Sequence, residues 1–89
     1  MRAYLIILEG ENNNMMSIQR LKTLGEWARI TQNSYIVLSN AKASEIRNTL
    51  YADNDEIRKI FVINVTNRGW ASYGLSEAVN NWIKSQVLG

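Results

Sequence analysis

Apolar residues in this chain occur in short runs that are separated by polar, turn-forming segments. Ala3–Leu8 and Tyr35–Ser39 are short and rich in β-branched and aromatic residues, which is typical of buried strands. Ile57–Thr66 is the longest run of this kind, and Glu26–Thr31 shows partial alternation of apolar and polar residues. The pattern therefore predicts four strands, with the Gln32–Ser34 turn joining the second strand to the third as a hairpin.

Three other segments repeat apolar residues at the spacing of one helix face. The first helix is predicted to run to about Leu24, because Gly25 follows at the position where glycine commonly closes a helix. The second is predicted to end at about Tyr51. The expected N-terminal caps are Ser17 for the first helix, Asn40 or Ser44 for the second, and Ser76 for a final, C-terminal helix.

The predicted order is strand, helix, strand, strand, helix, strand, followed by one further helix. This order is typical of an α+β, ferredoxin-like split β-α-β fold, here with an added C-terminal helix. The 89 residues are expected to form a single domain over residues 1–89, of which about 67–89 are the extension. If Glu26–Thr31 instead continued the first helix, three βα units would form a small parallel α/β sheet. Gly25 and the Gln32–Ser34 turn favour the antiparallel arrangement.

The predicted strands are apolar on both faces. In the first strand Leu5 and Ile7 point one way, while Tyr4, Ile6 and Leu8 point the other. Two helices cover only one face of a ferredoxin-like sheet, and a bare second face would exceed the apolar patches of ordinary monomers. We therefore predict a homodimer, with the second face covered by the C-terminal helix, by a second copy, or by both. The apolar side of that helix is predicted to consist of Val79, Trp82, Ile83 and Val87.

Composition narrows the possible chemistry. The chain has no cysteine, no histidine and no proline, which excludes disulfides, zinc–thiolate sites and nucleophile–histidine pairs. Ten Lys and Arg against eight Asp and Glu give a net charge of +2, and the bases are scattered along the chain, not clustered. We find no export signal and no apolar segment of membrane-spanning length. A cytoplasmic domain is expected, with no membrane partner.

Glu9 is the first candidate for chemistry, because it ends the first strand and opens a polar loop. Glu11 and Asn12–Asn14 follow closely, and oxygen ligands of these types suit Mg²⁺ or Ca²⁺. The alternative interpretation is that Glu9 merely terminates an apolar strand and that the asparagines form a solvated turn. Another acidic segment, Asp53–Glu56, lacks the glycine and the distal glutamate of a calcium loop and is better explained as a turn.

Three bases are candidate contacts to nucleic-acid phosphates, namely Arg58, Lys59 and Arg68. Arg58 and Lys59 stand at the start of a strand, where charges also protect a sheet edge from unwanted pairing. Trp70 and Tyr73 offer rings on which bases could stack, although aromatic residues in a chain this short more often fill the space between helix and sheet.

Several segments carry a resemblance to a known family: YLIILEG, SYIVLSNAKASEIRNTL, DNDEIRKIFVINVT and the WASYGL…NNWIK tail. Together they resemble small bacterial and phage proteins labelled SinR-like. That family is similar in fold to the small subunit of the CRISPR spacer-integration complex and to the virulence-associated protein D toxins. The resemblance covers most of the chain, and it does not extend to the helix-turn-helix repressor of the same label.

The resemblance implies that a carboxylate at the end of the first strand shares a divalent metal with its copy in a second chain. Glu9 holds that position here, where the relatives usually have aspartate, and Lys42 stands where a capping Ser or Thr is usual. The implied function is a small dimeric nucleic-acid-associated protein, an Mg²⁺-dependent endonuclease or toxin with Glu9 as catalytic residue and metal ligand. The alternatives are a non-enzymatic phage or mobile-element accessory module that binds another protein, and a small-ligand regulatory domain.

Overall fold

The computed structural model describes residues 1–86 of the chain. Its strands are β1 (Arg2–Gly10), β2 (Trp27–Thr31), β3 (Ser34–Ser39) and β4 (Ile57–Asn64), and its helices are α1 (Met15–Leu21), α2 (Ala43–Tyr51) and α3 (Glu77–Gln86). The strands form one sheet in the order β2-β3-β1-β4, and each neighbouring pair is antiparallel. The α+β class is confirmed, and the alternative of a parallel α/β sheet is wrong.

α1 ends at Leu21, three residues before its predicted end at about Leu24, and Gly25 then turns the chain into β2. The φ of Gly25 is +154°, and an added Cβ would overlap the carbonyl oxygen of Leu38. The adjacent Glu26 carbonyl accepts a hydrogen bond from the Leu38 N–H at 2.8 Å, which joins the start of β2 to the end of β3. Only glycine permits this close backbone approach, so the chain enters the sheet here.

The start of α1 differs from the prediction. The helix begins at Met15, Asn14 stands at its N-cap position, and Ser17 lies inside the helix. Ser17 is fully buried, and its hydroxyl accepts a hydrogen bond at 3.0 Å from the side-chain amide of Asn54. The prediction that Ser17 caps α1 was therefore wrong, because the hydroxyl bonds to a distant side chain rather than to its own helix.

The cap of α2 also differs from the prediction. The N-cap residue is Lys42, not Asn40 or Ser44, and the Lys42 N–H donates to the carboxylate of Glu45 at 2.8 Å. A glutamate three residues into a helix satisfies this amide in half of a capping box. The other half is missing, because a lysine ammonium cannot accept the reciprocal bond.

The core lies between one face of the sheet and the helices α1 and α2. Two tyrosine rings are part of it, because Tyr4 and Tyr35 are both buried. The Tyr4 hydroxyl donates a hydrogen bond to the Ala41 carbonyl at 2.6 Å. This bond satisfies a polar atom that burial would otherwise penalise. The residues of the central cluster are Tyr4, Ile6, Leu8, Leu21, Tyr35, Val37, Ile46 and Leu50.

The second face of the sheet is covered in part by α3, which packs against β2. Its cap is confirmed, since the Ser76 hydroxyl accepts a hydrogen bond from the Val79 N–H at 3.2 Å. Ile83 is buried, whereas Val79 and Trp82 are only half-buried, and Val87 lies outside the described residues. The C-terminal helix therefore covers the β2 side of this face and leaves the β1–β4 side open.

No helix within residues 1–86 is both long and apolar enough to cross a membrane.

Candidate functional site at the shared end of β1 and β4

The end of β1 is fixed against the start of β4 by its backbone. The pairing of the two strands shifts register between Glu9 and Gly10, and the Glu11 N–H then donates to the Glu56 carbonyl at 2.9 Å. A Cβ on Gly10 would overlap that same carbonyl oxygen. Gly10 is therefore the residue that allows the loop after β1 to lie directly on the strand beside it.

The loop Asn12–Asn14 adopts a left-handed backbone, with φ values of 53°, 56° and 60°. Asparagine tolerates this conformation better than other non-glycine residues, which explains the run of three. The turn is also tied to β4, since the Asn12 side-chain amide donates to the Glu56 carboxylate at 2.9 Å. That carboxylate accepts a second bond from the Met16 N–H at 3.1 Å at the start of α1.

Asn14 does not belong to a solvated turn, as the alternative interpretation of this loop proposed. Its side chain is buried, and its amide nitrogen donates to the Leu8 carbonyl at 3.3 Å and to the Tyr35 hydroxyl at 3.2 Å. The remaining Oδ1 is buried and has no hydrogen-bond partner among the described residues. Asn14 is therefore a structural residue under the sheet, and its oxygen is not available to a metal beside Glu9.

Glu9 projects from the second face of the sheet and is paired with a base. Its carboxylate lies 3.7 Å from the ammonium of Lys59, its cross-strand neighbour in β4, and about half of the Glu9 side chain is exposed. Glu11 forms a second pair with Arg58 at 2.8 Å. Exposed pairs of this type contribute little to stability. They do place opposite charges beside Arg58 and Lys59, two of the three predicted phosphate contacts, so these bases do not form a free basic patch.

The third predicted contact, Arg68, lies in the segment between β4 and α3. The structure therefore brings Glu9 and Lys59 together, places Arg58 against Glu11, and separates Arg68 from this group. Of the two candidate stacking rings, Trp70 is half-buried while Tyr73 is fully exposed.

In the described part of one copy of the chain, the acidic side chains are dispersed and do not form a cluster of metal ligands. Among residues 1–86, no three acidic side chains are grouped so that they could hold a metal ion. Mg²⁺ keeps several waters and is commonly held by one or two carboxylates together with substrate phosphates. Glu9 could supply one of these ligands, and a second copy of the chain could supply another.

An apolar patch lies beside Glu9 on the same face. We call it the β1–β4 patch and define it as Ile7, Phe61 and Ile63, whose exposed fractions are 40%, 55% and 43%. Ile7 pairs with Phe61 across the two strands, and Glu9 pairs with Lys59 at the next position of the same face. The sequence indicated that these strands are apolar on both sides, but it did not show which part of the second face stays open.

Comparison with known proteins identifies no relative of this chain. A scan against models of protein families gives no match to the chain. Searches of curated proteins and of solved structures give no match either.

Proposed function

We propose that the chain has the ferredoxin-like β-α-β-β-α-β fold with α3 added. The strand order β2-β3-β1-β4 supports this assignment, because it places β1 and β3 at the centre and the strand after each helix at an edge. Two helices on one face and antiparallel pairing throughout also agree with it.

On this fold we propose a cytoplasmic homodimer that associates with nucleic acid, formed through the β1–β4 patch. The observation that carries the proposal is the exposed ring of Phe61, which lies on the open half of the sheet with Ile7 and Ile63. A two-fold interface sets the same surface of both copies against itself. Glu9 and Lys59 border the patch with opposite charges, so a second copy turned by the two-fold axis offers each of them a complementary partner.

The dimer is tested by a charge placed in the patch. At micromolar concentration, light scattering is expected to give about twice the chain mass of 10.2 kDa. Phe61→Lys should give the monomer mass, because apposing two ammonium groups in an apolar interface without partners is costly. Tyr51→Lys is the matched control, since Tyr51 is an equally exposed aromatic residue on α2, away from the patch. A wild-type chain that is monomeric at micromolar concentration would contradict the proposal.

The proposed activity of this dimer is Mg²⁺-dependent cleavage of nucleic acid, with Glu9 as catalytic residue and metal ligand. Glu9 stands on the same face as the patch and one cross-strand pair away from Phe61. In the proposed dimer the two-fold axis passes at the Glu9 end of the patch, so that the two carboxylates meet there. A metal held there would gather phosphate oxygens and lower the pKa of an attacking water. Metal binding at Glu9 would displace Lys59 from the carboxylate, and the Lys59 ammonium would then be free to bind a phosphate.

Glu9→Gln is expected to abolish cleavage, because the amide lacks the negative charge that holds the metal. The assay compares labelled single- and double-stranded DNA and RNA in Mg²⁺, in Mn²⁺ and in EDTA. Glu26→Gln, which removes an exposed carboxylate at the start of β2, should cleave at the wild-type rate. If the wild-type chain cleaves no substrate above the Glu9→Gln background, the enzyme proposal fails, and a non-enzymatic accessory module that binds a protein partner takes its place.

A further inference from the structure

A cleft of about 230 Å³ opens between the second face of the sheet and the segment that connects β4 to α3. Its floor is formed by the sheet and its walls by the connecting segment and α3. The cleft adjoins the β1–β4 patch at one end, where Leu5 on its floor pairs with Ile63. The side chains that line it are almost all apolar. The main ones are Leu5, Ile30, Ile36, Trp70, Leu75 and Ile83.

Arg68 is the charged residue among those that line the cleft. Its own N–H donates to the Val65 carbonyl at 3.2 Å, and Asn67 before it has a left-handed backbone, so a tight turn holds the residue in place. Within residues 1–86 its guanidinium takes part in no ion pair and no side-chain hydrogen bond, whereas Arg58 and Lys59 are both paired. Arg68 is thus an exposed base at an apolar cleft, and within residues 1–86 its guanidinium has no protein acceptor.

We propose that this cleft binds a small apolar carboxylate, with its hydrocarbon part in the cleft and its carboxylate on Arg68. A guanidinium matches a carboxylate through two parallel hydrogen bonds, and no acidic side chain among residues 1–86 is paired with Arg68. A phosphate-rich ligand such as a nucleotide suits the site poorly, because one cation among apolar side chains leaves most of its oxygens without donors. The residues that line this site include neither Glu9 nor a member of the β1–β4 patch.

The size of the cleft narrows the ligand class further. An apolar cavity of about 150 Å³ accommodates benzene. A cleft of about 230 Å³ therefore takes one aromatic ring with a short chain that carries the carboxylate. Arylalkanoic acids have this shape, and hydrocinnamate is a suitable probe.

The test measures binding of hydrocinnamate and of hydrocinnamyl alcohol to the full chain by two-dimensional NMR. The alcohol has the same ring and chain but no charge. We expect saturable shifts at the Trp70 indole and at Leu5, and at least a tenfold weaker affinity for the alcohol. Arg68→Met should lower the affinity for the acid to that for the alcohol, and should leave the affinity for the alcohol unchanged. Lys22→Met, which removes an exposed charge at the end of α1, should leave both affinities unchanged.

Three results would overturn the proposal. One is the absence of saturable shifts up to millimolar hydrocinnamate. Another is equal affinity of the wild-type chain for acid and alcohol. The third is that the shifts occur at Ile7 and Phe61 and not at Trp70, which would place the ring on the β1–β4 patch rather than in the cleft.

Discussion

Ile83→Ala is expected to lower the free energy of unfolding by about 3 kcal/mol. Ile83 is the buried residue of α3, with 4% of its surface exposed, and it lies against the open face of the sheet. A helix as short as α3 is marginal in water without packing, so the contact that Ile83 makes is what holds it on the sheet. For an 89-residue domain, a loss of this size is a large part of the total stability.

The measurement is equilibrium unfolding in urea. Lys84→Ala is the matched control, because Lys84 follows Ile83 on α3 but is exposed, and its removal should change the free energy of unfolding by less than about 0.5 kcal/mol. Val79 and Trp82 are half-buried, which is why the test uses Ile83. An effect of Ile83→Ala below about 1 kcal/mol would show that α3 is loosely docked, and that the second face of the sheet is stabilised by other contacts.

The elements of this fold could be predicted from local sequence because each has a local cause. Gly25 turns the chain into β2 at a position that only glycine can occupy, and the short Gln32–Ser34 turn joins two strands that pair as a hairpin. The Ser76 cap follows from a hydroxyl placed directly before a helical stretch. These signals lie within a few residues of the feature they determine, so no tertiary information was needed.

The errors have a different physical origin. Ser17 has the chemistry of a cap, yet its hydroxyl bonds to Asn54, which is distant in sequence. Lys42 is a poor cap by residue type, and the signal that marks the start of α2 is the glutamate at position 45 that accepts from its N–H. In the first case a distant residue occupies the hydroxyl that was predicted to cap the helix, and in the second the bond comes from the first turn of the helix and not from the N-cap side chain.

The candidate site could be predicted only in part for a related reason. The end of a strand and the residue type were enough to single out Glu9. Its partner Lys59 depends on the register of β1 against β4, and the loop pairing with Glu56 depends on the backbone approach that Gly10 allows. Which half of the second face stays exposed depends on where α3 docks, and a one-dimensional pattern of apolar residues does not contain that position.

Asn54 shows most clearly how a polar residue in a turn segment can act as a core residue. Its amide nitrogen donates to the Ser17 hydroxyl at 3.0 Å and to the Leu50 carbonyl at 2.9 Å, and its oxygen accepts from the Glu56 N–H at 3.1 Å. The side chain is buried, with 6% exposed. One amide thus connects α1, α2 and the segment that leads into β4.

Asn54→Ala is expected to lower the free energy of unfolding by about 3 kcal/mol, because each of its three hydrogen bonds contributes about 1 kcal/mol and each lost partner is buried or half-buried. Unfolding in urea gives the value, and Asn48→Ala on the exposed side of α2 is the control, expected to change it by less than about 0.5 kcal/mol.

Ser17→Ala in the Asn54→Ala background should cost much less than in the wild type, since the shared bond is already absent. Equal costs of Ser17→Ala in the two backgrounds would mean that the bond between Asn54 and Ser17 does not stabilise the fold.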